Sequence, residues 1–156
     1  MRKIRQRKEL EYCFYFDAIT GIWNRYYFGV HDAEYRNEKE KFPIAALYIS
    51  LSGLREINEK RGFLQGDQYI RSFAEFLAAE FGKSACYRMD GNEFVVLLER
   101  LEEEDAKAEF EAFENLLRRQ QMSTVSVGYA WAEASESLEN IVSQAEKDMC
   151  LNGQQV

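Results

Sequence analysis

Apolar positions in this chain switch between helical spacing and short unbroken runs, and the switching predicts its elements. The first sixteen residues carry Ile4, Leu10, Tyr12, Cys13 and Phe14 among charged neighbours, without Gly or Pro, and predict a lead-in helix over 1–16. A break is expected over 17–24 (DAITGIWN), where Gly21 and the Asp and Thr side chains favour a turn. Asn24 is placed to cap a helix running from Arg25 to about Lys39. The apolar run IAALYIS, just after the single proline Pro43, has the length of a buried central strand within 42–50. Leu54 and Ile57 then suggest a short helix ended by Gly62, and Gly66-Asp67 opens a longer one with Tyr69, Ile70, Phe73, Phe76 and Leu77 at helical spacing. Two apolar runs, 85–89 and 94–98, flank Asp90-Gly91-Asn92-Glu93, in which Asp-Gly is a strong hairpin signal. An acidic stretch at 102–105 suits the positive end of a helix dipole and leads into a helix with Phe110, Phe113 and Leu116 inward. Residues 123–131 read as a strand and 138–151 as a last helix. Helices between strands, with one hairpin in the middle, give an α/β sandwich in which helices surround a mixed sheet.

Composition narrows the classes of function. A chain of 156 residues suits one compact domain, and 46% hydrophobic residues supply its core. A net charge of -7 opposes general binding to phosphate backbones, so nucleic acid is not an expected partner. No run of 18 apolar residues is present, so no membrane insertion is expected. Cys13, Cys86 and Cys150 are odd in number and widely spaced, without a CxxC pair or a histidine cluster. They suggest neither a disulfide framework nor a zinc site, and fit a reducing cytoplasm. The single histidine, His31, reads as an ordinary surface or packing residue in a helix.

Four segments in order resemble one family, the GGDEF domains. Residues 17–25 (DAITGIWNR) are similar to the family's D-x-L-T-G-L-P-N-R, with Trp23 in place of proline. Residues 50–67 (SLSGLREINEKRGFLQGD) follow the frame D-x-D-x-F-K-x-I-N-D-x-x-G-H-x-x-G-D without a gap. Residues 88–94 (RMDGNEF) stand where R-x-G-G-D-E-F belongs, and Ser126-Val127-Gly128 matches a late S-I-G strand. The resemblance spans residues 17 to 150. It implies a nucleotidyl-cyclase-like sandwich on a central mixed five-stranded sheet, a GGDEF-like domain over 17–156 and, in active members, condensation of two GTP molecules into cyclic di-GMP.

What the resemblance implies for chemistry departs from this sequence at named positions. The family holds magnesium or manganese between two carboxylates, one ending the first strand and one in the hairpin turn. Hard divalent ions want such oxygen ligands. Here those positions are Ser50 and Asn92, so no metal is expected at them, and Mg or Mn is implied as a cofactor with GTP only for residual activity. Ser52 also replaces the frame's second aspartate. In the hairpin motif Asp90-Gly91-Asn92-Glu93-Phe94, Asp90 replaces a glycine and adds a charge that repels phosphate, while Glu93 keeps its family position as the remaining catalytic candidate. Asp90 and Glu93 are the carboxylates from which a shifted substitute metal site would have to be built. Arg55 keeps the charge of a phosphate-holding lysine, whereas a second lysine is expected where Gly153 stands. Asn58 and Asp67 match the two residues that read the guanine edge; equally, Asn58 can serve its helix end and Asp67 can be the N-cap of the next helix. Leu54 and Phe63 alter the pocket walls. The product-binding R-x-x-D tetrad falls at Phe81-Gly82-Lys83-Ser84, without either charge.

Three readings of function follow. The leading one is a catalytically inactive GGDEF domain acting as a GTP-binding or protein-interaction regulatory module in cyclic di-GMP signalling. The second is a diguanylate cyclase of low or atypical activity. The third is a scaffold without a nucleotide site, which forms a homodimer or contacts a signalling-protein partner.

Overall fold

The computed structural model describes residues 3, 5–7 and 14–152, so most of the lead-in helix expected over 1–16, with Cys13, and the last four residues with Gly153, lie outside the described residues. The chain runs β1 (Trp23–Asn24), α1 (Arg25–Arg36), β2 (Ile44–Leu51), α2 (Leu54–Arg61), α3 (Phe63–Phe81), β3 (Cys86–Asp90), β4 (Glu93–Glu99), α4 (Glu103–Arg119), β5 (Val125–Ala132) and α5 (Leu138–Asn152). The strands form a mixed five-stranded sheet in the order β1-β3-β4-β2-β5. Only the β1 and β3 pair is parallel; β3 with β4, β4 with β2, and β2 with β5 are antiparallel.

Strand β2 is central because nearly all of IAALYISL can be buried. Its alternate residues serve two cores. Ala45, Leu47, Ile49 and Leu51 pack with Ile70, Phe73 and Leu77 of α3 and Phe113 and Leu117 of α4. Ile44, Ala46 and Tyr48 face Phe28 and Tyr35 of α1 and Ile141, Val142 and Ala145 of α5. Each fully buried aliphatic side chain stabilises the fold by ~1.5–3 kcal/mol. Gly128 of β5 lets α5 approach closely: a Cβ there would stand 2.1 Å from the Ala145 carbonyl oxygen and 2.3 Å from the Met149 nitrogen. Buried Asp32 of α1 holds the start of α5, its Oδ1 accepting from the Leu138 and Glu139 amides at 2.7 and 3.2 Å.

Several local expectations shift by a few residues, each for a visible reason. Asn24 does cap α1, its Oδ1 accepting from Tyr27 N at 2.9 Å. Helix α1 ends at Arg36 instead of near Lys39, because Lys41 Nζ bends back to donate to the Tyr35, Arg36 and Glu38 carbonyls. Helix α3 starts at Phe63, so Gly66 and Asp67 lie inside it and Asp67 is not its N-cap. The break is made by Gly62, whose φ of 86° separates α2 from α3. In α4 the buried positions are Ala106, Phe113 and Leu117, so Leu117 takes the inward place expected of Leu116. Strand β1 is the fifth strand of the expected sheet, and its position has no signal of its own in the sequence: two residues carry no periodicity, and only the pairing of Trp23 with Tyr87 and Asn24 with Arg88 defines it. Trp23 is stacked between Phe16 and Tyr27, with ring centroids 4.3 and 3.8 Å away, and its Nε1 donates to the Ser84 carbonyl. At the other edge, Trp131 Nε1 donates to the Leu101 carbonyl.

Candidate functional site

The site is built around the β3–β4 hairpin. Arg88 fixes its tip: Nε and Nη2 donate to the Gly91 carbonyl, while Nη1 reaches both carboxylate oxygens of Asp17 at 3.1 and 3.0 Å. Asp17 also accepts from the Thr20 amide and hydroxyl, closing the turn before β1. The two motif segments 17–21 and 88–94 are therefore one structure held by a largely buried ion pair, with 13% and 20% side-chain exposure. Arg88 and Asp17 stand in separate motifs, and a pairing across 71 residues leaves no trace in local pattern. Phe94, the last residue of the motif, is fully buried against Phe73 and anchors the strand after the tip.

At the tip, Asn92 takes part in a reciprocal clamp with the end of β2. Its Nδ2 donates to the Leu51 carbonyl at 2.9 Å, and its own carbonyl accepts from the Leu51 amide at 2.9 Å. Ser50 lies one residue earlier, in register with Glu93 on one side and Ser126 on the other. Asp90 turns back on its own tip, accepting from the Gly91 amide at 2.8 Å.

A hollow of about 500 Å³ opens between this tip, α2 and the first residue of α3. Arg55, Asn58, Asp90, Gly91 and Asn92 line it, with Leu54, Glu59 and Phe63. The Asn58 Oδ1 is buried without a hydrogen-bond partner among the described residues, so this oxygen does not serve its helix end. That oxygen sits against Gly66, where a Cβ would come within 1.7 Å of it. Gly66 therefore makes room for Asn58. Asp67, one residue on, is half-buried in the first turns of α3. Arg55 is 92% exposed and pairs with Glu59 at 3.1 Å within its own helix. Glu59 was not singled out from the sequence, although its i,i+4 spacing from Arg55 was visible.

Glu93 lines a different hollow, of about 480 Å³, with Arg25, Tyr48, Glu139, Ser143 and Glu146. Its carboxylate accepts from the Tyr48 hydroxyl at 2.7 Å. Burial first, and then that hydrogen bond, push the Tyr48 hydroxyl well above the ordinary tyrosine range. Asp90 and Glu93 thus line separate hollows.

The donor chemistry at the tip does not fit a hard divalent ion. The Asn92 amide gives an N–H to the Leu51 carbonyl, Ser50 offers a neutral hydroxyl, the Asp90 carboxylate accepts from the Gly91 amide, and that of Glu93 accepts from the Tyr48 hydroxyl. Mg²⁺ and Mn²⁺ prefer carboxylate and carbonyl oxygens, which must face the ion. Among the described residues no group of three or more His, Cys, Asp or Glu side chains is arranged to hold a metal.

His31 is a packing residue held between two polar partners. Its Nδ1 meets the Tyr87 hydroxyl at 2.5 Å and its Nε2 meets Glu99 at 2.9 Å, tying α1 to β3 and β4. The hydrogen bond to Glu99 raises the His31 pKa above the ordinary 6.5; burial opposes it, and the charges of Glu99, Glu34 and Asp32 add to it. The same bond lowers the Glu99 pKa. A raised histidine pKa contributes stability that is fully present below pH 6.5 and lost as pH rises through the folded value. The lowered Glu99 pKa adds stability above its ordinary 4.5, lost as pH falls through its folded value. Stability from this pair should peak between those limits and fall, as pH rises through the folded His31 value, by less than about 1 kcal/mol, since Glu99 is partly exposed. Thermal melts across pH 5–9 should show a smaller decline in His31→Gln than in the wild type; equal slopes would exclude His31 as the titrating group.

Comparison with known proteins agrees with the fold. Residues 14–155 match the family described as "Diguanylate cyclase, GGDEF domain". The chain is 26% identical over 97 residues to diguanylate cyclase DgcS of Shewanella oneidensis, a match covering 60% of this chain and 33% of that protein. It is 27% identical over 145 residues to diguanylate cyclase DgcM of Escherichia coli, covering 88% and 35%. The chain thus spans about a third of the length of these two relatives. Among solved structures, the coiled coil and GGDEF domain of DgcB from Caulobacter crescentus, in complex with c-di-GMP, superposes with a TM-score of 0.81 at 19% identity, covering 96% of this chain and 85% of that one. No described helix is long and apolar enough to cross a membrane. With the family match running from just ahead of the Asp17 turn to the end of α5, this chain belongs to the GGDEF domains.

Proposed function

We propose that this chain is a non-catalytic GGDEF domain that binds a guanine nucleotide and acts as a regulatory module in cyclic di-GMP signalling. One observation carries the loss of catalysis: the Asn92 amide is bonded to the Leu51 carbonyl at the hairpin position where the family places a metal-binding carboxylate. A carboxylate there would present oxygen to that carbonyl and need a cation between them; the amide supplies its own donor. Ser50 repeats the change from charged to neutral on the neighbouring strand. Without a metal, nothing offsets the charge that builds on a triphosphate under attack. Glu93, kept in sequence, is held by Tyr48 in the other hollow, which speaks against its carrying the reaction alone. Retained binding is supported by Asn58 on the wall of the hollow beside the tip.

Purified protein given GTP with either Mg²⁺ or Mn²⁺ should form no cyclic di-GMP; product at high protein concentration would sink the proposal. Calorimetric titration with GTP should show saturable binding that Asn58→Ala removes. A protein-contact reading is favoured by Phe63 and Leu64, 75% and 85% exposed side by side at the start of α3. Absence of heat with GTP would leave that surface as the function to pursue.

The clamp makes a separate prediction. Asn92→Asp sets a carboxylate oxygen against the Leu51 carbonyl and should cost about 1–2 kcal/mol in chelator, or roughly 2–8 °C in Tm. An unchanged Tm would show that the clamp contributes nothing to the tip.

A further inference from the structure

The hollow beside the hairpin tip has charges arranged against a phosphate tail. Three charged side chains line it, Arg55, Glu59 and Asp90, for a net charge of one negative. The single cation is already bonded to Glu59 at 3.1 Å and is 92% exposed, so its field is both neutralised and screened. Asp90 stands at the tip itself, where its carboxylate is oriented by the Gly91 amide and repels any anion approaching that backbone. The Asn92 clamp removes the seat from which a divalent ion would offset the charge of a triphosphate.

The rest of the lining suits a flat, uncharged, hydrogen-bonding ring system. Leu54 and the 75% exposed Phe63 provide apolar contact and a face for stacking, and Asn58 and Asn92 line the hollow with uncharged carboxamides, the Asn58 Oδ1 being buried and one Asn92 N–H given to the Leu51 carbonyl. The volume is within the range of small-molecule sites. From this lining we infer that the hollow is a receptor for the nucleoside part of its ligand, in which the base supplies the affinity and each added phosphate weakens it. The inference rests on the proposed nucleotide-binding function and names what that site selects: guanosine over GMP, and GMP over GTP. It reverses the order a GTP-consuming enzyme requires, since such an enzyme must draw binding energy from the phosphates it acts on.

The test is a set of calorimetric titrations of the whole chain with guanosine, GMP and GTP, in chelator and in Mg²⁺, on the wild type and three variants. Guanosine should bind at least as tightly as GTP, with no gain from Mg²⁺. Asp90→Asn should tighten GTP by about fivefold and leave guanosine unchanged, the size expected for removing one like charge at close range in water. Phe63→Ala, at an exposed position that does not endanger folding, should weaken every ligand alike. Asn58→Ala should abolish binding of all of them. GTP binding tighter than guanosine, or strengthened by Mg²⁺, would overturn the inference while leaving nucleotide binding intact. Binding indifferent to both Phe63→Ala and Asn58→Ala would place the ligand elsewhere and overturn it as well. No heat with any ligand would overturn both the inference and the nucleotide-binding function.

Discussion

Gly128→Ala is expected to lower the stability of the domain by about 3 kcal/mol or more, the upper end of what overpacking costs. The added methyl would stand 2.1, 2.3 and 2.7 Å from the Ala145 oxygen, the Met149 nitrogen and the Met149 Cα, all of them main-chain atoms of α5. A side chain in the way could rotate; a helix backbone must move as a body. Helix α5 contributes Leu138, Ile141, Val142 and Ala145 to the core on that face, so its displacement opens gaps along much of the sheet. For a domain of this size the loss corresponds to roughly 6–12 °C in Tm. Gly29 is the internal control. It lies in the middle of α1 with nothing within 4 Å of its Cβ position, so Gly29→Ala should be neutral or stabilise by about 0.5–1 kcal/mol. Thermal or urea unfolding of the two variants decides the matter. A Gly128→Ala protein as stable as the wild type would show that α5 shifts without cost.

Arg88→Ala should be nearly as damaging, by about 3 kcal/mol, the low end for removing one partner of a buried pair. The guanidinium joins the Asp17 turn to the Gly91 carbonyl, so its loss leaves Asp17 with only the Thr20 bonds and frees the hairpin tip. Lysine should not rescue it, because a single ammonium cannot bridge the Asp17 carboxylate and the tip carbonyl in the same geometry. A cycle of Arg88→Ala, Asp17→Ala and the double variant, read by urea unfolding, isolates the pair. Costs that simply add would refute the coupling. Because the tip carries Asp90 and Asn92, Arg88→Ala should also loosen ligand binding in the adjacent hollow, which guanosine calorimetry would detect.

The fold was legible in the sequence wherever a run of apolar residues had one favourable length and setting. The β2 run IAALYIS, the Asp-Gly hairpin and the spacing of Ile70, Phe73 and Leu77 each admit one structure, and each appears. What stayed hidden depended on partners remote in sequence. Strand β1 exists because β3 lies beside it, and the choice of Leu117 over Leu116 in α4 reflects the helix's rotation against the sheet. The start of α3 was misplaced because Gly66-Asp67 looks like a helix start, whereas the left-handed conformation that breaks the chain belongs to Gly62. At the site, the exchange of acidic for neutral groups at Ser50 and Asn92 was visible residue by residue. The amide clamp on Leu51 was not, since a hydrogen bond between positions 41 apart has no trace in local pattern.

The two tryptophans also turn the sheet into an optical instrument with a probe at each edge. Trp23 belongs to β1 and Trp131 to β5, the outermost strands, and each indole N–H is held by a carbonyl from outside its own strand. Trp23, packed in a run of parallel rings, should give strong near-ultraviolet circular dichroism, and its emission reports on the turn that leads into the domain. Replacing either indole with phenylalanine leaves a single-colour reporter of one edge. Unfolding can then be followed separately at the β1 and β5 sides of one molecule, without attaching a dye.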